Sequence, residues 1–342
     1  MTQTPSTVVF VSLTGDEEIK VYDLDQSSGA LSLRVTNPAH GPSGALFLHP
    51  TLDVLYDAHV ESTTLASFRL DKTAGQVTLL NSVDTGIGIP AHSVTDSQGR
   101  YLLTAYYGGG GITVHRLGED GSIGEQIQHV QTGPKAHAVH ISPDDHFVIV
   151  PHVCPTNKTS QFRFDPETGL LSENEPAVLL PPDDDTGPRH ICFRPAGDVA
   201  YIINEQGKTV SVHRYDSASG TLERFQHLST MPEGWEQEGG STAHVEVHPN
   251  GRWAYGSNRG HDSIVGFNIA DDGSLTPFGH YPVPASPRSF NIDPSGRFLY
   301  CAGEAADRMK CFRVDPESGA LEAFDEIDVG NKPFWVMATT LD

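Results

Sequence analysis

FRVDPESGAL, at residues 312–321, is one copy of a phrase that recurs through the chain. FRLDKTAGQV at 68–77, FRFDPETGLL at 162–171 and HRYDSASGTL at 213–222 repeat its Asp-x-x-x-Gly turn. The corresponding glycines lie 46–53 residues apart and are Gly29, Gly75, Gly121, Gly169, Gly220, Gly273 and Gly319. A period of this length, carried by short apolar runs, indicates a β-propeller in which each repeat forms one blade.

A second series of turns, out of phase with the first, divides each repeat. These turns read HPTLD, DSQGR, SPDDH, RPAGD, HPNGR and DPSGR, and their second residues are Pro50, Ser97, Pro143, Pro195, Pro249 and Pro294. Each turn lies between runs rich in Val, Ile, Leu, Phe and Tyr, which are typical of strands, and its Gly and Asp residues are typical of hairpins. Each repeat therefore predicts four antiparallel strands, with an inner strand before this second turn and an outer strand after the glycine.

The two ends of the chain predict how the ring closes. Residues 7–13 and 19–33 supply three strands of a blade without an inner strand, and residues 332–340 supply a lone inner strand. Joining them completes one blade and removes two exposed sheet edges. We therefore predict an all-β fold over residues 1–342, a single seven-bladed β-propeller domain, in preference to a β-sandwich array or a solenoid.

Charge and composition restrict the partners. The net charge of −22 repels nucleic-acid phosphates and anionic membranes, so we expect neither as a partner. No apolar run reaches 18 residues, and the first residues lack the pattern of a signal peptide. The cysteines have no CxxC spacing and are expected to be reduced thiols of a cytoplasmic protein; they are Cys154, Cys192, Cys301 and Cys311. A closed ring leaves no free edge, so we expect a monomer or a weak homodimer.

Candidate functional residues are expected where inner strands begin and second strands end, because these points meet at one mouth of the central channel. Six residues before the second residue of each dividing turn stand Gly44, Ala91, His137, Arg189, Ala243 and Arg288. Five residues before it stand Ala45, His92, Ala138, His190, His244 and Ser289. Ten residues after it stand Val60, Tyr107, Val153, Glu205, Arg259 and Glu304. A sheet core would be apolar at these positions, so their histidines, arginines and glutamates indicate a polar site.

Strand alternation limits which set can face the pocket, because neighbouring residues of a strand point to opposite sides. We favour the set that contains His137, Arg189 and Arg288. His92, His190 and His244 then either contact a substrate or form hydrogen bonds between sheets. For any one of these residues a structural role is as good an explanation, but the concentration at one rim favours a functional site.

Other kinds of chemistry lack their motifs. The chain has neither a Walker-type phosphate loop nor a GxSxG nucleophile elbow. The glycines at 108–111 are expected to form a tight turn. Arginine stands at two positions where metal ligands would be required, so we expect neither a metal nor another cofactor.

Three segments carry a resemblance to a known family: GPRHICFRPAGDVAYIINEQGKTVSVHRYD at 187–216, YGSNRGHDSIVGFNI at 255–269 and SPRSFNIDPSGRFLY at 286–300. They resemble the seven-bladed β-propeller lactonases, a family that includes bacterial 6-phosphogluconolactonases and fungal-type carboxymuconate lactonizing enzymes. The resemblance spans nearly the whole chain.

The resemblance also implies site residues. It implies active-site roles for His137 in PKAHAV, Arg189 in GPRH, Glu205 in the NE pair and Arg259 in SNRG. Lys135 stands where the family has a first histidine. Two further positions depart from the family pattern, because His244 replaces a glutamate and Glu304 replaces a glutamine.

The favoured function is hydrolysis of a small, sugar-type lactone. Glu205 or His137 would activate water while the other protonates the ring oxygen, and Arg189 and Arg259 would stabilise the oxyanion or clamp a carboxylate or phosphate. Candidate substrate-binding residues are Arg288, His92, His190, His244, Tyr107, Glu304 and Lys135. A cycloisomerase that forms a lactone from an unsaturated carboxylate, and a non-catalytic binding module, remain as alternatives.

Overall fold

A computed structural model describes residues 6–235 and 239–341. These residues form seven antiparallel sheets of four strands each, and the inner strands of successive sheets contact one another around a ring. The prediction of a seven-bladed β-propeller is confirmed. No helix long and apolar enough to cross a membrane occurs in the described residues.

The strands follow one another in chain order, and every blade except the first uses four consecutive strands. The first eleven are β1 Ser6–Leu13, β2 Glu18–Leu24, β3 Leu31–Pro38, β4 Ala45–Leu48, β5 Val54–Ala58, β6 Thr64–Asp71, β7 Gln76–Asp84, β8 Pro90–Thr95, β9 Tyr101–Tyr106, β10 Ile112–Leu117 and β11 Ile123–Val130. The next eight are β12 His140–Ile141, β13 Phe147–His152, β14 Lys158–Phe164, β15 Leu171–Leu179, β16 Pro188–Phe193, β17 Val199–Asn204, β18 Thr209–Asp216 and β19 Thr221–Ser229. The last nine are β20 Ser241–Val247, β21 Trp253–Arg259, β22 Ser263–Ile269, β23 Leu275–Pro282, β24 Pro287–Ile292, β25 Phe298–Gly303, β26 Arg308–Val314, β27 Leu321–Asp328 and β28 Pro333–Leu341.

The first blade joins the two ends of the chain. Its strands lie in the order β28-β1-β2-β3, and β1 pairs with β28 from Ser6 opposite Leu341 to Leu13 opposite Pro333. The remaining blades are β4–β7, β8–β11, β12–β15, β16–β19, β20–β23 and β24–β27. The predicted closure of the ring is therefore present.

The hydrophobic core is divided into clusters that lie between neighbouring blades. One cluster, for example, packs Phe147 and Ile149 of blade four against Ile191 and Tyr215 of blade five. The equivalent cluster between blades one and seven packs Val9 of β1 against Tyr300. Burial of apolar surface between blades is thus what holds the ring together.

The repeated glycines are required at these blade interfaces. Gly220 has a φ of +70°, and a Cβ added there would lie 2.0 Å from the Phe147 ring of the preceding blade. The carbonyl of the equivalent Gly121 accepts a 2.8 Å hydrogen bond from the Tyr56 hydroxyl of its neighbour. The turn that identifies the fold in the sequence is therefore also a contact between blades.

Replacing Gly220 by Ala should destabilise the fold through both effects. The positive φ costs about 1–2 kcal/mol for an L-residue, and overpacking against Phe147 adds about 1–3 kcal/mol. Gly86 is the matched control, because its φ is +67° but an added Cβ meets nothing within 4 Å. Denaturant unfolding should therefore show a larger loss for Gly220→Ala than for Gly86→Ala, and equal losses would contradict the packing argument.

Candidate active site

A recurrent β-bulge shapes the rim at which the inner strands begin. In blade five the register shifts between Pro188 and His190, so Arg189 is the extra residue. Similar shifts leave Ala91 and Arg288 as extra residues in blades three and seven. A bulge bends its strand and re-aims a side chain, which is why the alternation expected from the sequence does not hold here.

A residue with positive φ stands two positions before each of these three side chains and before His137 of blade four. These residues are Ile89, Gly187, Ser286 and Lys135, with φ values of 57°, 67°, 60° and 65°. The carbonyl of each accepts a hydrogen bond from the residue that directly follows the second strand of the blade. These bonds are Tyr107 N to Ile89 O at 2.8 Å, Val153 N to Lys135 O at 3.2 Å, Glu205 N to Gly187 O at 2.6 Å and Glu304 N to Ser286 O at 2.9 Å. The two sets of rim positions are thereby held side by side.

The rim encloses a cavity of about 310 Å³. Six predicted residues line it and come from five blades: Tyr107, His137, Glu205, Arg259, Arg288 and Glu304. The other lining residues are Thr14, Val60, Glu61, Ile89, Ala91 and Phe334. The scattered polar positions of the sequence therefore do converge at one mouth of the channel.

Two arginines share the carboxylate of Glu205. Arg189 donates from Nε to Glu205 Oε2 over 2.9 Å, and Nη2 of Arg259 lies 3.3 Å from the same oxygen. Arg189 also donates to the carbonyl of Ala243, and Arg259 donates to the carbonyl of Thr242 over 2.9 Å. The resulting Arg–Glu–Arg cluster spans blades five and six and carries one excess positive charge.

Arg189 lies below the cavity and does not line it. Its side chain is only 2 % exposed, and burial together with the nearby Arg259 guanidinium lowers its pKa well below the usual value. The guanidinium already has protein acceptors, so its direct contribution is to hold Glu205 in place.

His137 faces the cavity beside this cluster. Its Nε2 lies 4.0 Å from Glu205 Oε2, and its ring makes an edge contact with Tyr107 at 5.5 Å between centroids. Burial, reinforced by the positive charges of Arg189, Arg288 and Arg259, lowers the pKa of His137 well below 6.5. The imidazole is consequently neutral at physiological pH and able to accept a proton.

Arg288 forms a second charged group of the cavity, on blade seven next to the blade that carries Arg259. Its Nη1 lies 3.4 Å from Glu304 Oε2, and its guanidinium stacks over the Phe334 ring at 4.2 Å. The Nε atoms of Arg288 and Arg259 are both buried and have no hydrogen-bond partner within the described residues. Unused guanidinium donors beside a cavity can bind the oxygen atoms of a ligand.

Lys135 does not line the cavity. Its Nζ lies 3.9 Å from the centroid of the Tyr107 ring, a cation–π contact that orients Tyr107 towards the site. Tyr107 is thus held between Lys135 and His137.

His92, His190 and His244 also do not line the cavity; they lie in the channel below it. The His92 ring contacts His190 at 5.6 Å and Trp335 at 5.7 Å, and His190 contacts Trp335 at 6.0 Å. These rings belong to blades three, five and one, and side chains from blades that are not neighbours meet only across the central channel. Of the two alternatives left open for this set, hydrogen bonding between sheets is what the structure shows for His190 and His244, whose Nδ1 atoms lie 2.9 Å apart. The bulges nevertheless turn both sets of residues inward.

Several cavity residues were missed in the sequence. Phe334 and Thr14 occupy in blade one the positions that Arg288 and Glu304 occupy in blade seven, since Thr14 N donates to Lys332 O over 3.0 Å. Reading the C-terminal strand as a seventh copy would have found both. Ile89 lines the cavity because its backbone adopts a positive φ. A β-branched residue rarely has this conformation, so the sequence gives no signal for it.

Within residues 6–235 and 239–341, no group of three or more His, Cys, Asp or Glu side chains is arranged to hold a metal ion.

Comparison with known proteins identifies the family. The family model described as "Lactonase, 7-bladed beta-propeller" matches residues 7–338. The chain belongs to the seven-bladed β-propeller lactonase family. Among the lactonases, it is 33 % identical to a 6-phosphogluconolactonase of Pectobacterium carotovorum, over 98 % of this chain and 99 % of that one. A 6-phosphogluconolactonase of Serratia proteamaculans is 30 % identical, over 96 % and 98 % of the two chains.

Solved structures agree with the lactonase fold. The periplasmic gluconolactonase of Pseudomonas aeruginosa superposes with a TM-score of 0.89 at 25 % identity, covering 97 % of this chain and 99 % of that one. A protein from Bacteroides fragilis superposes with a TM-score of 0.91 at 23 % identity, covering 100 % and 99 %, and shows the fold alone.

Glu205→Gln should destabilise this lactonase, because it leaves two largely buried guanidiniums without their carboxylate. Removing one partner of a buried ion pair costs about 3–5 kcal/mol. The matched control is Glu326→Gln, since Glu326 pairs with Arg308 on an outer strand where both side chains are exposed, and exposed pairs contribute about 0–1 kcal/mol. In urea unfolding, Arg189→Met combined with Glu205→Gln should cost less than the sum of the single changes, and strict additivity would contradict the shared cluster.

Proposed function

We propose that this lactonase hydrolyses a small sugar lactone of the gluconolactone type, including the 6-phosphorylated form after which its relatives are named. The observation that carries the proposal is a neutral imidazole, His137, facing a cavity that Arg259 and Arg288 also line, two arginines whose Nε donors have no partner within the described residues. A base and a set of oxyanion-binding donors in one enclosed site are what hydrolysis of an ester requires.

His137 is a better general base than Glu205. The Oε2 of Glu205 is occupied by Arg189 and Arg259, and Oε1 accepts a hydrogen bond from Gln206 at 3.3 Å. The lone pairs of this carboxylate are thus taken up by donors, whereas the lowered pKa of His137 keeps its imidazole unprotonated at neutral pH. Glu205 accordingly acts by positioning Arg259.

One histidine is sufficient for both proton transfers of the reaction. Nε2 of His137 takes a proton from water as the water oxygen attacks the lactone carbonyl carbon. The ring C–O bond breaks, and the imidazolium returns that proton to the departing ring oxygen. The carboxylic acid product ionises, so one proton is released to solvent per turnover. Arg259 is placed to stabilise the negative charge on the carbonyl oxygen, which makes it the counterpart of an oxyanion hole.

Cavity size and charge fit a small, oxygen-rich substrate. A volume of about 310 Å³ lies at the lower end of ligand pockets. Arg288 would bind peripheral oxygens of the lactone, such as a phosphate, through its free Nε and its Nη groups. Glu304 would bind sugar hydroxyls, because its carboxylate accepts hydrogen bonds.

A panel of lactones tests the proposal. Acid release should be seen with glucono-δ-lactone, with its 6-phosphate, or with both, and His137→Asn should lower kcat by roughly 10²–10⁴. Arg259→Met should lower it by roughly 10²–10³ through loss of oxyanion binding. His146→Asn is the control, because His146 lies in the same blade on an exposed turn.

Two outcomes would contradict lactone hydrolysis. One is unchanged turnover in His137→Asn. The other is the absence of acid release from the whole panel, together with conversion of carboxymuconate, which would favour the cycloisomerase instead.

The pH dependence follows from the lowered pKa of His137. The neutral base exists above that pKa, so kcat/KM should be maximal at pH 6.5 and fall only at clearly lower pH. Arg288→Met removes one of the positive charges that lower this pKa, while Arg189, Arg259 and burial remain. The acid limb of kcat/KM should therefore move to higher pH in Arg288→Met, and a shift to lower pH would contradict the assignment of His137 as the base.

A further inference from the structure

A column of buried histidines descends from the floor of the cavity into the channel. The His137 ring lies 5.2 Å from the His190 ring, and the His190 ring lies 5.0 Å from the His244 ring, measured between centroids. Hydrolysis as proposed above uses only the first of these. The burial of titratable side chains below a site calls for an explanation, because burying a polar group costs free energy unless the group is hydrogen-bonded.

The lower end of this column is a fixed carboxylate. Glu246, on β20, accepts hydrogen bonds from Asn291 Nδ2 at 2.6 Å and from the backbone N–H of Ile292 at 3.0 Å. Its Oε1 lies 3.1 Å from Nε2 of His244. The side chain of Glu246 is 18 % exposed, so this end of the column remains in contact with solvent.

The donor and acceptor atoms of the histidines can be assigned in order, starting from Glu246. An ionised carboxylate only accepts, so Nε2 of His244 carries a proton and donates it to Glu246. In neutral His244 the other nitrogen, Nδ1, is then an acceptor. It lies 2.9 Å from Nδ1 of His190, which must therefore be the donor. His190 is left with a lone pair on Nε2.

The column extends to the site through His137. Nδ1 of His137 is buried and has no partner within the described residues. The His137 ring lies almost as close to the His190 ring as the His244 ring does. A small rotation of the His137 ring, or one internal water, would therefore join Nδ1–H of His137 to the lone pair of His190. In that arrangement Nε2 of His137, the atom nearest Glu205, carries the lone pair.

We propose that His190, His244 and Glu246 are positioning residues for lactone hydrolysis, which fix the tautomer of His137 so that its Nε2 lone pair faces the cavity. The inference rests on the proposed role of His137 as the base. The column also stabilises the imidazolium that forms during the reaction, because each imidazole can polarise towards the carboxylate of Glu246. It offsets the positive charges of Arg189, Arg259 and Arg288, which lower the pKa of His137.

Nitrogen-15 NMR of the full-length protein labelled at histidine tests the tautomers directly. At pH 7.5 we expect His137 and His190 as Nδ1–H tautomers and His244 as the Nε2–H tautomer, assigned by the single changes to Asn. In Glu246→Gln the carboxylate, which can only accept, is replaced by an amide whose NH2 group can face His244, so the fixed direction of the column is lost and the Nε2–H form of His137 should increase. His137 found as Nε2–H in the unaltered protein would overturn the proposal, even if the variant failed to fold.

Kinetics provide the second test. Glu246→Gln should lower kcat by about 10–100-fold, the usual effect of a group that orients a catalytic residue, and should change KM little. Glu326→Gln removes the same charge from an outer strand and should leave kcat unchanged. Full kcat in a folded Glu246→Gln variant would overturn the positioning role.

The two proposals fail in different ways. If the tautomers are as expected but no lactone is hydrolysed, the proposed function is rejected and the assignment of the column is confirmed. If lactones are hydrolysed and His137→Asn is inactive but His137 carries its proton on Nε2, the proposed function stands and the column does not position the base.

Discussion

Close approach between neighbouring blades is the constraint on which the rest of the structure depends. A glycine with positive φ turns each third strand into the outer strand and lies directly against a side chain of the preceding blade, as Gly319 does against Trp253 and Gly169 against Tyr101. Any side chain there would push two blades apart. The apolar clusters and the hydrogen bonds of the tyrosine hydroxyls between blades both depend on this spacing.

The site shows how a symmetric fold produces an asymmetric pocket. Every blade offers the same places at the rim, and the bulge re-aims one residue in most of them. Blade five places Arg189 there, blade seven places Arg288 and blade three places only Ala91. The arginines that line the cavity thus come from blades six and seven, whereas blade three contributes the apolar side chains of Ile89 and Ala91.

Much of the architecture was accessible from the sequence because it is periodic. The glycine and proline turns determine the blades, and the unmatched strands at the two ends determine the closure. The site was accessible in part: His137, Glu205 and Arg259 do line the cavity, but Arg189 lies beneath it. The alternation of strand residues was the wrong guide for His190, because a bulge adds one residue without leaving a trace in the pattern of polar and apolar positions.

The pairing of β1 with β28 has a consequence for how the chain is made. Ser6 and its partner Leu341 are separated in the sequence by the strands of all the other blades. During synthesis β1 therefore lacks its inner partner while the other six blades are made, and the ring cannot close before β28 has emerged. Contacts of such large sequence separation are slow to form, so pairing of β1 with β28 is the step that commits this protein to its native ring.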